Sequence, residues 1–133
     1  MKKNKNLLII LLIFILPLAL FYFKAFWSEE YVSVAQVFGS KPIVLDFGSE
    51  MCLECKELDK VMNPVKAKYK DKIVFKKISV NSYDPETEQL IKEYGVNVVP
   101  TLVFINKEGK QVKTVEGCLP QYELESYLKI INE

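Results

Sequence analysis

IVLDFGSEMCLECKEL, residues 43–58, decides the fold of this chain. Its first half, Ile43–Phe47, is an apolar run broken by one carboxylate, the pattern of a central strand covered on both faces. Asp46 is the anomaly in that run. The second half begins a helix whose apolar positions Leu58, Val61, Met62, Val65 and Tyr69 recur at helical spacing, with Pro64 expected to bend it or end it early. Between strand and helix lies Cys52-Leu53-Glu54-Cys55. Two thiols three apart at a helix start can close a small disulfide. The unpaired N–H groups and the positive end of the helix dipole favour Cys52 as a thiolate, the form that attacks disulfides. Cys55, one turn further in, is then placed to resolve the mixed disulfide by attacking Cys52.

Working outward, the chain alternates strands and helices. Ile73–Val80 reads as a second strand. Asp84 can cap a helix with Pro85 at its first position, Leu90, Ile91 and Tyr94 on its inner face and Gly95 past its end. Thr101–Ile105 and Gln111–Val115 flank Asn106-Lys107-Glu108-Gly109, a hairpin connection, and Pro120 opens a last helix with Leu124, Tyr127, Leu128 and Ile131 on one face. On the amino-terminal side, Ser33 and Gln36 have capping-box spacing for a short helix ending near Gly39. The expected class is α/β, a mixed sheet with helices on both faces, with its site beyond the carboxyl ends of the parallel strands.

Composition narrows the chemistry. The 133 residues leave room for one domain of ordinary size, and a net charge of +1 with no Arg gives no footprint for nucleic acid. With no His, there is no Cys/His or Ser/His pair and no imidazole for a metal. Three Cys are too few for a disulfide-stapled scaffold, so redox chemistry or metal binding is the question. A closed zinc site wants four ligands, and Cys52, Cys55 and Cys118 offer three, so no metal and no other cofactor is expected.

Leu7–Phe23 is an uncharged apolar run of 17 residues, preceded by Lys2, Lys3 and Lys5 and followed by Lys24. At a rise of about 1.5 Å per residue it nearly crosses a hydrocarbon core of about 30 Å, and the flanking Lys can snorkel. No polar face interrupts it, and Ala19, Ala25 and Ser28 are set among Leu, Phe and Trp rather than in a cleavage pattern. An uncleaved anchor is expected, Phe23, Phe26 and Trp27 forming an aromatic belt and the Lys cluster placing the N-terminus inside. The expected organisation is a cytoplasmic tail (1–6), a transmembrane anchor (7–24), a linker (25–30) and a globular domain (31–133).

LDF before the CxxC, KKISVN, YGVNVVPTLVFINKEGK and VEGCLP before the last helix occur in the order found in the thioredoxin family, which residues from about 31 to 133 resemble. The resemblance implies a thioredoxin-like fold preceded here by one N-terminal transmembrane helix. It implies a cis bond at Val99-Pro100, beside the thiols, where the Val99 backbone can pair with an extended substrate. It places Asp46 behind the CxxC facing Lys77, where a buried carboxyl with raised pKa can take the proton of Cys55, directly or through water; for Lys77 itself, a solvated strand charge is the simpler expectation. It sets Gly117 and Cys118 in the loop that completes the substrate groove. Cys118 is then either within reach of Cys52 or a small apolar residue packed under the loop.

The departures from that family pattern bear on direction. Met51 stands where similar proteins often carry Trp, Leu53 and Glu54 where they carry Gly-Pro, and Lys60 where they carry the helix-kinking Pro. Glu54 turned toward the thiols opposes thiolate formation and disfavours a strongly oxidising site; turned to solvent, it is a first-turn acid favoured by the helix dipole. The expected activity is therefore that of a membrane-tethered thiol-disulfide oxidoreductase of the bacterial cytoplasmic membrane, catalytic domain on the outer side. It would reduce disulfides in exported proteins, apocytochrome c among the candidates, with a transmembrane thiol reductase as donor. The alternatives are a peptide-binding or structural module without redox turnover, or a disulfide-forming oxidase or isomerase.

Overall fold

A computed structural model describes the backbone of residues 3–26 and 40–133. The chain divides into two compact units, Met1–Tyr31 and Val32–Glu133. In the first, α1 (Lys3–Phe26) is one helix of 24 residues that runs through Pro17. Its described apolar side chains, Ile9 to Tyr22, face outward all round. Among the described residues no helix is long and apolar enough to cross a membrane. The apolar run expected to do so reaches its 17 residues only with Leu7, Leu8 and Phe23, whose side chains lie outside the described ones. The side chains of Phe23 and Phe26 and all of Trp27, which were to form the aromatic belt, residues 27–30 of the linker expected at 25–30, whose Ala25 and Phe26 continue α1, and the short helix around Ser33 to Gly39 also lie outside them.

The second unit is built on β1 (Ile43–Gly48), α2 (Leu53–Tyr69), β2 (Val74–Ser79), α3 (Pro85–Glu93), β3 (Thr101–Ile105), β4 (Gln111–Glu116) and α4 (Gln121–Asn132). The sheet order is β2-β1-β3-β4, with β1 and β2 parallel and the other pairs antiparallel. The two central strands are buried along their whole length, which is why their sequences read as apolar runs rather than alternations.

Alternation along β1 assigns the two faces. Val44, with Leu102 and Phe104 of β3, packs under Leu58, Met62 and Val65 of α2 and Leu124, Leu128 and Ile131 of α4. Ile43, Leu45 and Phe47, with Val103 and Ile105, pack against Leu90, Ile91 and Tyr94 around α3. By the period of two, Asp46 and Gly48 fall on the Val44 face, beneath α2.

The ends of α3 follow the expected chemistry. Asp84 accepts from Thr87 N at 2.9 Å, Pro85 starts the helix, and Gly95 follows its end at φ +63°. Helix α2 departs from expectation at Pro64, which neither ends nor shortens it: the helix continues to Tyr69. Pro64 is exposed while its neighbours Met62 and Val65 are fully buried, so packing of the inner face outweighs one lost backbone hydrogen bond. The second strand is also shorter than expected, Val74–Ser79 rather than 73–80.

Candidate functional site

After Gly48 the chain turns through Ser49–Met51, closed by Cys52 N donating to Ser49 O at 3.1 Å. That turn makes Cys52 the N-cap of α2: its backbone is extended, and its sulfur accepts from Cys55 N at 3.0 Å. A sulfur in this position meets N–H groups that have no partner in the helix, which favours negative charge on it. Cys52 and Cys55 are joined by a disulfide with their Cα atoms 5.2 Å apart. Cys52 is partly exposed, whereas Cys55 is 4% exposed. The outer sulfur is open to attack by or on a partner, and the inner one is sheltered.

Two further segments converge on this turn. The Val99-Pro100 peptide is cis, as the family resemblance implies, and Pro100 immediately precedes β3, whose Thr101 lies across from Phe47 at the end of β1. Gly117, at φ +83°, donates its N–H to Pro100 O at 2.8 Å. Next to it, Cys118 Sγ lies 3.1 Å from the carbonyl oxygen of Glu54, in the first turn of α2. The loop after β4 is thereby fastened to Pro100 on one side and to the CxxC turn on the other. Val99 is half-buried beside it, with exposed Val98, Met51 and Leu53 forming apolar surface at the segments that flank the thiols.

Cys118 is exposed, not packed beneath the loop. The reason lies next to it: Leu119 is the residue that fills the core, 4% exposed, and its neighbour is turned outward. Glu54 is exposed, and what it contributes to the contacts here is its backbone carbonyl.

Behind the disulfide lies Asp46, 3% exposed, with Oδ2 lacking any hydrogen-bond partner. Burial is the largest influence on it and raises its pKa; Lys66 and then Lys77 pull it down, and Asp59 pushes it up. A Cβ placed on Gly48 would stand 3.5 Å from Cys55 Sγ, so the inner sulfur sits over Gly48. Asp46 is two residues back on the same face, about 7 Å along the strand. Lys77 faces Asp46 in the sheet register, as implied, but its ammonium bonds Asp59 Oδ2 at 2.5 Å. The ion pair of Asp46 is with Lys66, at 3.7 Å. A cavity of about 380 Å³ opens beside these groups, lined by Gly48, Ser49, Cys55, Asp59, Lys77 and others.

Asp59 and Lys66 were not singled out from sequence, although a signal existed. Cys55, Asp59, Met62 and Lys66 fall at i, i+4, i+7 and i+11, one stripe of a helix whose apolar positions already fixed its inner face.

Comparison with known proteins agrees with this geometry. The sequence pattern of the thioredoxin-like domain matches residues 32–132. The chloroplast thioredoxin-like protein HCF164 of Oryza sativa subsp. japonica is 34% identical over 91 residues, 68% of this chain and 34% of that protein. The match thus spans about a third of the length of that relative. A thioredoxin of Alicyclobacillus acidocaldarius is 31% identical over 90 residues, 68% of this chain and 81% of its own. Among solved structures, thioredoxin NaTrxh of Nicotiana alata superposes with a TM-score of 0.63 at 34% identity, covering 80% of this chain and 85% of that one.

Proposed function

As this chain belongs to the thioredoxin-like family, we propose that it is a membrane-tethered thiol-disulfide oxidoreductase that reduces disulfides in exported proteins. The observation that carries the reading is the Cys52–Cys55 disulfide at the N-cap of α2, outer sulfur accessible and inner sulfur buried. In the reduced state the Cys52 thiolate attacks a substrate disulfide, forming a mixed disulfide and releasing one substrate thiolate. Cys55 then attacks Cys52, the second substrate sulfur leaves, and the dithiol ends as the bridge seen here. Asp46 takes the Cys55 proton through water, for which its raised proton affinity suits it. The Val99 backbone and the Gly117-Cys118 loop bind the substrate strand.

Direction and tethering rest on sequence. Absence of His between the cysteines and the acid at Glu54 favour a reductant over an oxidant. The uncharged run Leu7–Phe23 with Lys on both sides supports a single-pass anchor, N-terminus inside, in a bacterial cytoplasmic membrane. Tethering concentrates the domain near membrane partners, a transmembrane thiol reductase as donor and proteins such as apocytochrome c as acceptors.

The deciding measurement is the equilibrium reduction potential of the Cys52/Cys55 pair in the full chain, held in mild detergent and titrated in thiol redox buffers. A value at or below about −230 mV is expected; one near about −120 mV would make the protein a disulfide-forming oxidant, and failure to close a reversible bridge would leave a binding module.

A further inference from the structure

Asp46 and Lys77 face each other across parallel strands, yet they are not partners. Lys77 bonds Asp59, and Asp46 pairs with Lys66. Both intervening residues come from α2, four and eleven positions beyond Cys55, so one helical stripe lays the resolving thiol, an anion and a cation over the buried carboxylate. The two pairs differ in their contact with water. In the Asp46–Lys66 pair the side chains are 4% and 26% exposed, whereas in the Asp59–Lys77 pair they are 30% and 50% exposed. Charges act on one another more strongly where water is excluded, and Lys77 is in addition offset by the carboxylate it holds.

We propose that Lys66 and Asp59 are the positioning residues of the proton transfer at Cys55: Lys66 holds the Asp46 carboxylate ready to accept, and Asp59 draws Lys77 out of that role toward the open cavity. This rests on the reading that Asp46 takes the Cys55 proton. In the step itself, Cys55 loses its proton to Asp46 through water and its sulfur attacks Cys52. The Cys52–Cys55 bond forms as the Cys52–substrate bond breaks, the pair is oxidised, and the substrate leaves as a thiolate that takes a proton from solvent. The protonated Asp46 then returns its proton to water. The carboxylate must be ionised at the start of each such cycle. Lys66 favours that form. Asp59 opposes it twice over, by its own negative charge and by occupying Lys77. Among the described residues, the charged groups that act on Asp46 are these three, Lys66 and Asp59 from α2 and Lys77 from β2; its partner on β3 is the uncharged Leu102.

The resolving step can be followed alone. When the reduced full chain, with Cys118 changed to Ser and held in detergent, meets less than one equivalent of Ellman's reagent, the first release of thionitrobenzoate reports attack by a protein thiol. The second, independent of concentration, reports attack by Cys55 on the mixed disulfide. The pH profile of that second phase is the readout. Lys66→Met is expected to move its acid limb to higher pH, with a severalfold slower phase on that limb, and Lys66→Arg to restore it. Asp59→Asn is expected to move the limb the other way. Lys77→Met is expected to move it less than Lys66→Met. A Lys77→Met displacement as large as that of Lys66→Met, or an Asp59→Asn displacement in the same direction, overturns the assignment. Asp46→Asn separates the two levels of argument: if it leaves the second phase unchanged, the Asp46 reading itself falls, and if it slows that phase while Lys66→Met does not, only the role of Lys66 falls.

Discussion

Cys118 Sγ stands 3.1 Å from the carbonyl oxygen of Glu54, which joins the loop after β4 to the turn that carries both redox cysteines. The contact spans 64 positions of sequence and lies at the surface. With Cys52 and Cys55 already bridged, Cys118 is the free and exposed thiol. In the oxidised native chain, N-ethylmaleimide should therefore label Cys118 and leave the other two unlabelled, with peptide mass mapping recovering one Cys52–Cys55 bridge. A bridge containing Cys118 would contradict this arrangement. Because a hydroxyl can donate to the same carbonyl, Cys118→Ser should leave the denaturation midpoint closer to the parent than Cys118→Ala does.

Two aspartates give stability opposite dependences on pH. Asp46 has its folded pKa raised above 3.8, chiefly by burial, so the folded state binds the proton more tightly than the unfolded chain. Its contribution is most favourable below the unfolded value, worsens as pH rises through the folded value and stays unfavourable above. Asp46→Asn should thus raise the urea midpoint at pH 7, and the gain should vanish once the pH falls below the unfolded value of 3.8. Asp84 is the reverse case: its hydrogen bonds from Ser82 and from Thr87 N lower its pKa from 3.8 to about 2. Its contribution is complete above the unfolded value and is lost as pH falls toward about 2. Asp84→Ala should lower the midpoint at pH 7 and cease to matter at the acid end, as checked by urea melts of both variants across that range.

Much of this arrangement was legible because it depends on local patterns. Continuous apolarity at Ile43–Phe47, the cap at Asp84 with Pro85, and the paired thiols at a helix start each follow from neighbours in sequence, and the structure has them where expected. The carboxylate in β1 announced itself as an exception to its surroundings, and it is buried. The partners of that carboxylate were less legible. Strand register brings Lys77 opposite Asp46, but a long side chain chooses among several anions within reach, and the choice of Asp59 depends on how α2 is rotated over the sheet. Cys118 was left between two readings for a similar reason: whether Cys118 or Leu119 fills the core is set by the path of a loop whose Gly117 takes a positive φ.

Pro64 gives a direct measure of how strongly α2 is held. Its ring removes the N–H that would bond Lys60 O, yet the helix persists to Tyr69 because Leu58, Met62 and Val65 are buried along its inner face. Since Pro64 itself is exposed, Pro64→Ala removes no core contact and restores one donor. The expected change is a stabilisation of about 1–3 kcal/mol, read as a higher urea midpoint with an unchanged slope. A loss of stability would mean that the ring makes contacts that the helix depends on.

The unequal exposure of the two active-site sulfurs leads to a prediction about trapping. Cys52 is the accessible N-cap and Cys55 the buried partner, so the first sets up the mixed disulfide and the second releases it. Cys55→Ser should therefore accumulate a covalent adduct between Cys52 and its substrates, visible as slower bands on non-reducing gels that collapse on addition of dithiothreitol. Cys52→Ser should give no such adducts and lose insulin reduction by at least about tenfold, because the remaining Cys55 thiol is sheltered and lies one turn inside the helix. A Cys52→Ser, Cys55→Ser pair of variants that behave alike would assign both sulfurs to a structural bridge. Adducts of Cys55→Ser that persist when Cys118 is also changed to Ser would fix Cys52 as the attacking sulfur, and the proteins identified in those adducts would name the substrates.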